Sequence, residues 1–413
     1  MITLIIPPSP FLLNDKVFVS LGVLYVAAAL EQKGHEVRIL DLKGQSDWQD
    51  KVRKVAGEDN KLIGVTTTSA NFPIALEILD IIKSINKNAR VIIGGPHATI
   101  APQQCEMFDK VNVGDGVTGI FRALESDEKI IHAEMVKNID EMPFPARHLI
   151  DLDSYYYEID KRRATNVMSQ FGCPYRCAFC CGRNIKEYST VRFRSPRNFA
   201  EELDFLNDRY GYTAFMIHDD EFNLNKKRTL EACEVLGKKD YFFRAFVRPD
   251  LFTEEIAEAM GKAGFRQVDV GVESGSARVL KTIQKSSTPE INSRAREVAR
   301  KYGIRFKAFV TIGHPSETRD DVSMTKQWLI DNRPDAFEIY VVTPYPGALI
   351  YDQKEKFDIE FSIDYSRDIT SVTRRHGERR CYVSNSHLTS EEIISLREQV
   401  DKEVRAELGL LSV

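Results

Sequence analysis

The chain has 413 residues, of which 43% are hydrophobic and 29% charged, the balance of a globular protein with room for two domains. A formal net charge of -4 excludes a general nucleic-acid binder, and no apolar run reaches the length needed to span a bilayer. Seven cysteines suit a reducing compartment better than a disulfide framework, and MITLIIPPSP has no basic n-region and no long apolar h-region, so a cytoplasmic protein is expected.

In chain order, ITLII (2–6) reads as a strand, SLGVLYVAAALEQK (20–33) as a helix closed by Gly34, and EVRIL (36–40) as the next strand. LIGVTTT (62–68), the helical PIALEILDIIKSI (73–85), ARVIIGG (89–95) and VNVGDG (111–116) repeat the alternation. The strands are continuously apolar, as parallel strands covered on both faces should be. A doubly wound α/β domain is therefore predicted over 1–145, with ligands held beyond the carboxyl ends of its strands.

IDEMPFPARHLIDLDSYYYE (139–158) is rich in Pro, Asp and Tyr without a clear period, and marks an ordered linker, placed at 146–164. A second alternation occupies 165–350. Its strands are NVMSQ (166–170), TAFMIH (213–218), FFRAF (242–246), RQVDVG (266–271), RFKAFVTI (305–312) and AFEIYVV (336–342). Six units are too few for a closed eight-fold barrel and suit a partial (β/α)6 barrel with its site at the carboxyl ends. The remainder, 351–413, is a charged extension ending in the helix TSEEIISLREQVDKEVRAEL, where Thr389 and Glu392 fit a capping box. Arg374, Arg375, Arg379 and Arg380 form a basic cluster that suits either an acidic substrate or a solvated surface.

FGCPYRCAFCCGR (171–183) directly follows the first strand of the second domain. Three thiolates at CxxxCxxC spacing, Cys173, Cys177 and Cys180, can bind three irons of a [4Fe-4S] cubane and leave the fourth open. Structural zinc is the alternative. Such sites pair CxxC knuckles or add histidines, and here only Cys181 offers itself as a fourth ligand.

With Phe179 before the last cysteine, the loop resembles the signature of the radical S-adenosylmethionine (SAM) superfamily. Over nearly all of 1–350 the chain resembles that superfamily's cobalamin-binding branch, in which a Rossmann-like domain precedes the radical SAM barrel. The resemblance implies that the open iron chelates SAM, and that an electron breaks its C–S bond to give a 5′-deoxyadenosyl radical. It places Phe179 near the adenine. Glu273 and Ser274 in GVESGS (271–276) lie where the ribose hydroxyls would be met, helix capping being the alternative. Asp219, Asp220 and Glu221 in HDDEFN (218–223) are candidates for SAM or substrate, or else solvated loop charge. The planar fork of Arg248 in FVRPD suits the methionyl carboxylate. TIGHPSET (311–318) resembles the family's Gly-x-Pro-x-Glu-Thr turn, with Ile312 and Gly313 shaping the adenine pocket. His314 reads as a packed or solvent-facing histidine in preference to a catalytic one. No residue is assigned a catalytic role.

Family members hold cobalamin between the two domains. The loops matched to that role supply Pro8, Leu21 and Gly22, Thr67, Thr68 and Ser69, Gly95, Pro96 and His97, and Gly114 and Gly116. The Asp-x-His-x-x-Gly motif is missing, so no lower axial histidine is expected, and His97 is a loop residue by resemblance. A domain kept for stability or substrate contact is the alternative. The expected activity is cobalamin-dependent methylation of an unactivated carbon of a small molecule, with electrons from an external flavodoxin- or ferredoxin-type donor and neither nucleic acid nor membrane as partner. Alternatives are a non-methylating cyclase or rearrangement enzyme of the same architecture, and an iron–sulfur sensor or electron carrier, which would coordinate all four irons. A methylthiotransferase would carry three more cluster cysteines in its first domain, whereas only Cys105 precedes the motif.

Overall fold

In the computed structural model, which describes residues 1–9, 12–182, 185–361, 363 and 380–410, the apolar run at the start forms β1 (Ile2–Ile6), buried along its whole length. The chain alternates from there: α1 (Leu21–Gln32), β2 (Val37–Asp41), α2 (Trp48–Ala56), β3 (Leu62–Thr66), α3 (Phe72–Ile85), β4 (Val91–Gly94), α4 (Pro96–Ile100), β5 (Lys110–Val113), α5 (Gly116–Glu125) and β6 (Ile130–His132). These strands form one parallel sheet in the order β2-β1-β3-β4-β5-β6. Its core residues Leu4, Ile5, Val65, Ile92 and Ile93 are nearly inaccessible, each worth about 1.5–3 kcal/mol of burial. The order reverses between β1 and β3, so the loops leaving these two strands flank the switch point at which such sheets bind ligands.

The described residues divide into two compact units, the first Met1–Tyr156 and the second beginning at Tyr157, a break inside the 146–164 linker. The second unit starts with a short antiparallel edge, β7 (Glu158–Ile159) on β8 (Arg162–Val167), that the sequence pattern did not predict. A two-residue ribbon joins β9 (Gln170–Phe171) to β10 (Arg192–Phe193), with α6 (Lys186–Ser189) between them. The remaining elements are α7 (Pro196–Tyr210), β11 (Ala214–Ile217), α8 (Lys226–Leu236), β12 (Phe242–Phe246), α9 (Glu254–Lys262), β13 (Phe265–Glu273), α10 (Ala277–Thr282), α11 (Pro289–Lys301), β14 (Arg305–Ile312), α12 (Arg319–Asn332) and β15 (Ala336–Val341).

The second sheet runs β15-β14-β13-β12-β11-β8-β7, parallel from β8 to β15. The first of its predicted strands, NVMSQ, is corrected: only Asn166 and Val167 lie in β8. The ladder stops at Val167 because the Asp219 carboxylate takes the next backbone donors, Ser169 N at 2.6 Å and Gln170 N at 2.9 Å. On β14, Phe306, Ala308, Val310 and Ile312 are buried while Lys307, Phe309 and Thr311 alternate with them on the other face. The chain closes through α13 (Leu349–Asp352), the ribbon β16 (Glu360–Phe361) with β17 (Val383–Ser384), and α14 (Ser390–Leu408), which packs on α12 and β15. The predicted capping box opens α14: Thr389 N donates to Glu392 Oε2 at 2.9 Å and Glu392 N to Thr389 Oγ1 at 3.3 Å. Arg374, Arg375 and Arg379 lie outside the described residues, and Arg380 is exposed.

Candidate active site

The cysteine loop leaves β9 and is held by main-chain bonds to segments far from it in sequence. Cys173 N donates to Tyr188 O at 3.0 Å, Ala178 N to Ile283 O at 2.8 Å and Gly182 N to Gly347 O at 3.3 Å, while Ala178 O accepts from Ile350 N at 3.0 Å. Gly347 lies in TPYPGA (343–348), a turn with two prolines that follows β15 and braces the loop. Cys173 and Cys177 are buried, Cys180 and Cys181 half-buried, and none is in a disulfide. The Cys180 thiol stands 3.9 Å from the Cys181 carbonyl. Among the described residues no group of three or more His, Cys, Asp or Glu is arranged to hold a single metal ion. A cubane asks for a different geometry, with each thiolate on its own iron.

Over this loop the strand ends gather charge. Glu273, the last residue of β13, sits at a bulge with φ +63°, a left-handed conformation that costs a non-glycine residue roughly 1–2 kcal/mol. Its Oε1 lies 3.1 Å from Lys285 Nζ, and its Oε2 accepts from Thr311 Oγ1 at 3.3 Å. Burial opposes the Lys285 charge, but Glu273, Glu221 and Cys177 outweigh it and hold the ammonium above its ordinary pKa. Gly271 makes the pair possible, because a Cβ there would stand 2.4 Å from Glu273 Oε1 and 2.9 Å from Lys285 Nζ. Burial pushes Glu221 up to about 7 against the pull of Lys285 and Arg248, and its Oε2 has no hydrogen-bond partner among the described residues.

Three of the residues expected at the site are engaged elsewhere. Asp219 is buried and accepts from the backbone and hydroxyl of Ser169 and the backbone of Gln170, so it anchors the entry to the cysteine loop. Arg248, 1% exposed, gives its fork to Asp250 at 2.9 and 3.1 Å and stacks on the Tyr175 ring of the cysteine loop at 3.3 Å, which braces that loop. Ser274 spends its hydroxyl on Thr325 Oγ1 at 3.1 Å and on Ser276 N at 3.1 Å. Helix α10 is capped by Ser276, so neither Glu273 nor Ser274 does the capping. Asp220 is exposed. Lys285, Tyr175, Thr311 and Glu317 are the participants missed from sequence. A lone lysine after the α10 turn carries no motif. Glu317 stands at the Glu of the Gly-x-Pro-x-Glu-Thr turn in TIGHPSET, a position whose signal lies in the motif itself.

The turn after β14 is held from two sides. Glu317 Oε2 accepts from Gly313 N at 2.6 Å and from His314 N at 3.3 Å, and burial pushes this carboxyl up to about 8. Asn385, in the turn between β17 and α14, donates to His314 O at 3.0 Å and Glu317 O at 3.1 Å. Ile312 is fully buried, and Gly313 lies against Val383 and Ile393. The His314 ring is fully buried, with its centroid 6.0 Å from that of the half-buried Phe179. Burial lowers its pKa to about 4 and keeps it neutral.

In the first unit the candidate ligand loops gather at the carboxyl ends of β1, β3, β4 and β5. Pro8 and Leu21 are buried, and Gly22 is exposed in the first turn of α1. Thr67 is buried and bonded to Asn71, while Thr68 is exposed at the lip. Gly95 has φ +98°, and a Cβ there would stand 2.7 Å from Thr67 O, so the β3 and β4 loops touch through a residue that must be glycine. Pro96 is exposed, Gly114 opens the loop after β5, and Gly116 starts α5 tight against Val26. His97 points inward: it is fully buried, with Nδ1 2.9 Å from Ser69 Oγ and its ring 4.2 Å from Phe72.

Residues 167–329 match the family model of the radical SAM superfamily, and residues 16–123 that of the B12 binding domain. An uncharacterized methyltransferase of Pyrococcus horikoshii is 28% identical over 96% of this chain and 90% of its own length. The anaerobic magnesium-protoporphyrin IX monomethyl ester cyclase of Rubrivivax gelatinosus is 25% identical over 82% of this chain and 67% of its own. Among solved structures, the radical SAM methyltransferase TsrM of Kitasatospora setae, with cobalamin and a [4Fe-4S] cluster bound, superposes with a TM-score of 0.76. It covers 97% of this chain and 90% of that one at 16% identity, a likeness of fold.

Proposed function

Because the chain belongs to the radical SAM superfamily, in the branch that joins a B12 binding domain to the radical SAM domain, we propose that it is a cobalamin-dependent methyltransferase acting on an unactivated carbon of a small molecule. The observation that carries the reading is the cysteine loop. It presents three thiols at CxxxCxxC spacing on a main-chain frame tied down at four points, beneath a buried Glu273–Lys285 pair at the strand ends.

The donor set fits a cubane. Cys173, Cys177 and Cys180 would hold three irons, and Cys181 is left to the loop. Phe179, Glu221 and Glu273 would contact SAM, with Ile312 and Gly313 walling the adenine side. Tyr175 on Arg248 and the Asp219 clasp hold the loop in place. In the first unit, Gly95 brings two loops together at the strand ends, and Thr68, Pro96 and Gly22 leave surface open for a bulky ligand, which fits cobalamin. When bound, the cluster supplies the electron that cleaves SAM and cobalamin carries the methyl group. The electron comes from an external flavodoxin- or ferredoxin-type donor. No helix among the described residues is long and apolar enough to cross a membrane.

The cyclase relative favours a second reading, a radical SAM enzyme of this architecture that does not methylate. One experiment separates the two. Protein purified anaerobically from cobalamin-fed cells is examined for bound cobalamin by absorbance, reduced, and given SAM with candidate small molecules. Methylation yields S-adenosylhomocysteine and 5′-deoxyadenosine together. Formation of 5′-deoxyadenosine without S-adenosylhomocysteine on a consumed substrate would establish the non-methylating reading.

A further inference from the structure

On the second sheet the alternation of side chains separates a packed face from one that is left partly open. Ala245, Val310 and Ile339 belong to the core and are inaccessible or nearly so. The residues that alternate with them, Phe246 on β12, Phe309 on β14 and Tyr340 on β15, lie on the other face and are only half-buried. Aromatic side chains carry the largest apolar surface a residue can bury, so three left partly open in one row offer contact area to a ligand.

The rings form a continuous row. Phe246 and Phe309 have centroids 6.0 Å apart across β13, whose residue in register with Phe309 is Gly271. Phe309 and Tyr340 lie nearly parallel, 13° apart in plane with centroids 5.9 Å apart. β15 is the edge strand, and Tyr340 makes no second ring contact among the described residues, so the row is open at that end. Thr311, the register partner of Tyr340, bonds Glu273 at 3.3 Å, which puts the row beside the strand ends read as the SAM site.

The charges on this face are spent on one another. Arg244 donates from Nε to Asp269 Oδ2 at 2.8 Å and from Nη1 to Tyr157 Oη at 2.8 Å, and Lys307 Nζ lies 3.1 Å from Glu338 Oε1. What remains for a ligand is aromatic surface and one hydroxyl. Tyr340 Oη has no hydrogen-bond partner among the described residues. Burial, with Glu338 and Asp269 nearby, pushes its pKa up to about 12, so it stays a phenol and a donor at physiological pH.

We propose that this row binds the substrate and selects an uncharged, planar ring system with a hydrogen-bond acceptor on its edge. The ring extends the aromatic row by offset stacking or edge-to-face contact, and Tyr340 Oη donates to the acceptor. The inference names a substrate class for the proposed function and rests on the reading of the strand ends as the SAM site. Phe309 and Tyr340 determine specificity and take no part in C–S cleavage.

The probes that test it are carbostyril, a flat bicyclic lactam, and its fully hydrogenated counterpart, which is puckered and keeps the same carbonyl. Binding of each to the cluster-reconstituted full chain, with S-adenosylhomocysteine present, is measured by anaerobic equilibrium dialysis. Formation of 5′-deoxyadenosine from SAM after reduction with dithionite is measured on the same wild-type protein. The wild type should bind the flat lactam about tenfold more tightly than the puckered one. Phe309→Leu should lower that ratio about three- to tenfold, and Phe309→Tyr, which keeps a ring, should restore most of it. Damage to the fold weakens both lactams, so the ratio reports the ring itself. Tyr340→Phe should weaken both lactams about three- to tenfold without a change in melting temperature, because each carries the acceptor. An unchanged ratio in Phe309→Leu overturns the inference. Should that variant fail to fold, an unchanged affinity for carbostyril in Tyr340→Phe decides against it. A wild type that cleaves SAM yet binds the two lactams equally, or binds neither, overturns this inference alone. One that carries its cluster and cleaves no SAM overturns the reading of the site, and this inference with it.

Discussion

Lys285 Nζ lies 3.1 Å from Glu273 Oε1, joining the left-handed last residue of β13 to the loop after α10 with both side chains nearly out of water, 7% and 11% exposed. Desolvation makes such a pair a weak source of net stability, but removing one member strands the other.

Lys285→Met should therefore destabilise the protein by about 3–5 kcal/mol, the range for breaking a buried pair. The double change Glu273→Gln with Lys285→Met should recover much of the loss. Chemical denaturation of the four proteins closes the cycle. A double variant no more stable than Lys285→Met alone would mean that the ammonium answers chiefly to Glu221.

Replacing Cys173, Cys177 or Cys180 with Ala should each abolish cluster incorporation, read as iron and sulfide content and as the reduced-cluster paramagnetic resonance signal, and should abolish 5′-deoxyadenosine formation. Cys181→Ala should retain both, because a cubane with three protein ligands has no use for a fourth thiolate. Loss of the cluster in Cys181→Ala with retention in Cys173→Ala would reverse the ligand assignment.

What the sequence made legible follows from how local each signal is. FFRAF and RFKAFVTI match β12 and β14 residue for residue, since runs of aromatic and β-branched side chains report strands without outside help. WQDKVRKVA carries little sequence signal for α2, because only Val52, Val55 and Ala56 face the core in a charged stretch. At the site, the cysteines announce themselves by spacing alone. The choice among Asp219, Asp220 and Glu221 turns on which carboxylate meets Ser169 N, a contact spanning 50 positions that no pattern displays. Lys285 was invisible for the same reason.

Glu317 carries a pH dependence. Its folded pKa of about 8 lies above the ordinary 4.5, so the stability tied to its protonated form is complete below 4.5 and lost as pH rises toward 8. His314 acts in the opposite sense. Held at about 4, it contributes stability that is present above 6.5 and lost as pH falls toward 4. The two oppose one another at mildly acid pH, and above 6.5 the glutamate acts without the histidine. Unfolding free energy should then fall between pH 6.5 and 8. Glu317→Gln, which keeps an acceptor for Gly313 N without the charge, should flatten that fall and stabilise the protein by about 2–4 kcal/mol at pH 8. An unchanged slope in Glu317→Gln would place the titration elsewhere, Glu221 being the next group to test.

The last prediction concerns the first unit and the lower face of a bound cobalamin. His97 is the histidine among the candidate loops, and the structure packs it into the protein: its Nδ1 meets Ser69 Oγ at 2.9 Å and the ring lies 4.2 Å from Phe72. Burial lowers its pKa to about 4, so it is neutral at physiological pH and has the electronic character of a metal ligand. What denies it that role is burial: Nε2 could ligate with the Nδ1–Ser69 bond kept, but reaching a cobalt would uncover a fully buried ring. Cobalamin bound to this unit should thus have no protein histidine on cobalt. Paramagnetic resonance of the cob(II)alamin-loaded wild type and of His97→Ala should give the same spectrum. His97→Ala should retain cobalamin while losing about 1–3 kcal/mol of stability, the cost of a lost buried hydrogen bond and its packing. Nitrogen superhyperfine splitting present in the wild type and absent from His97→Ala would show that the loop opens on binding and that His97 is an axial ligand after all.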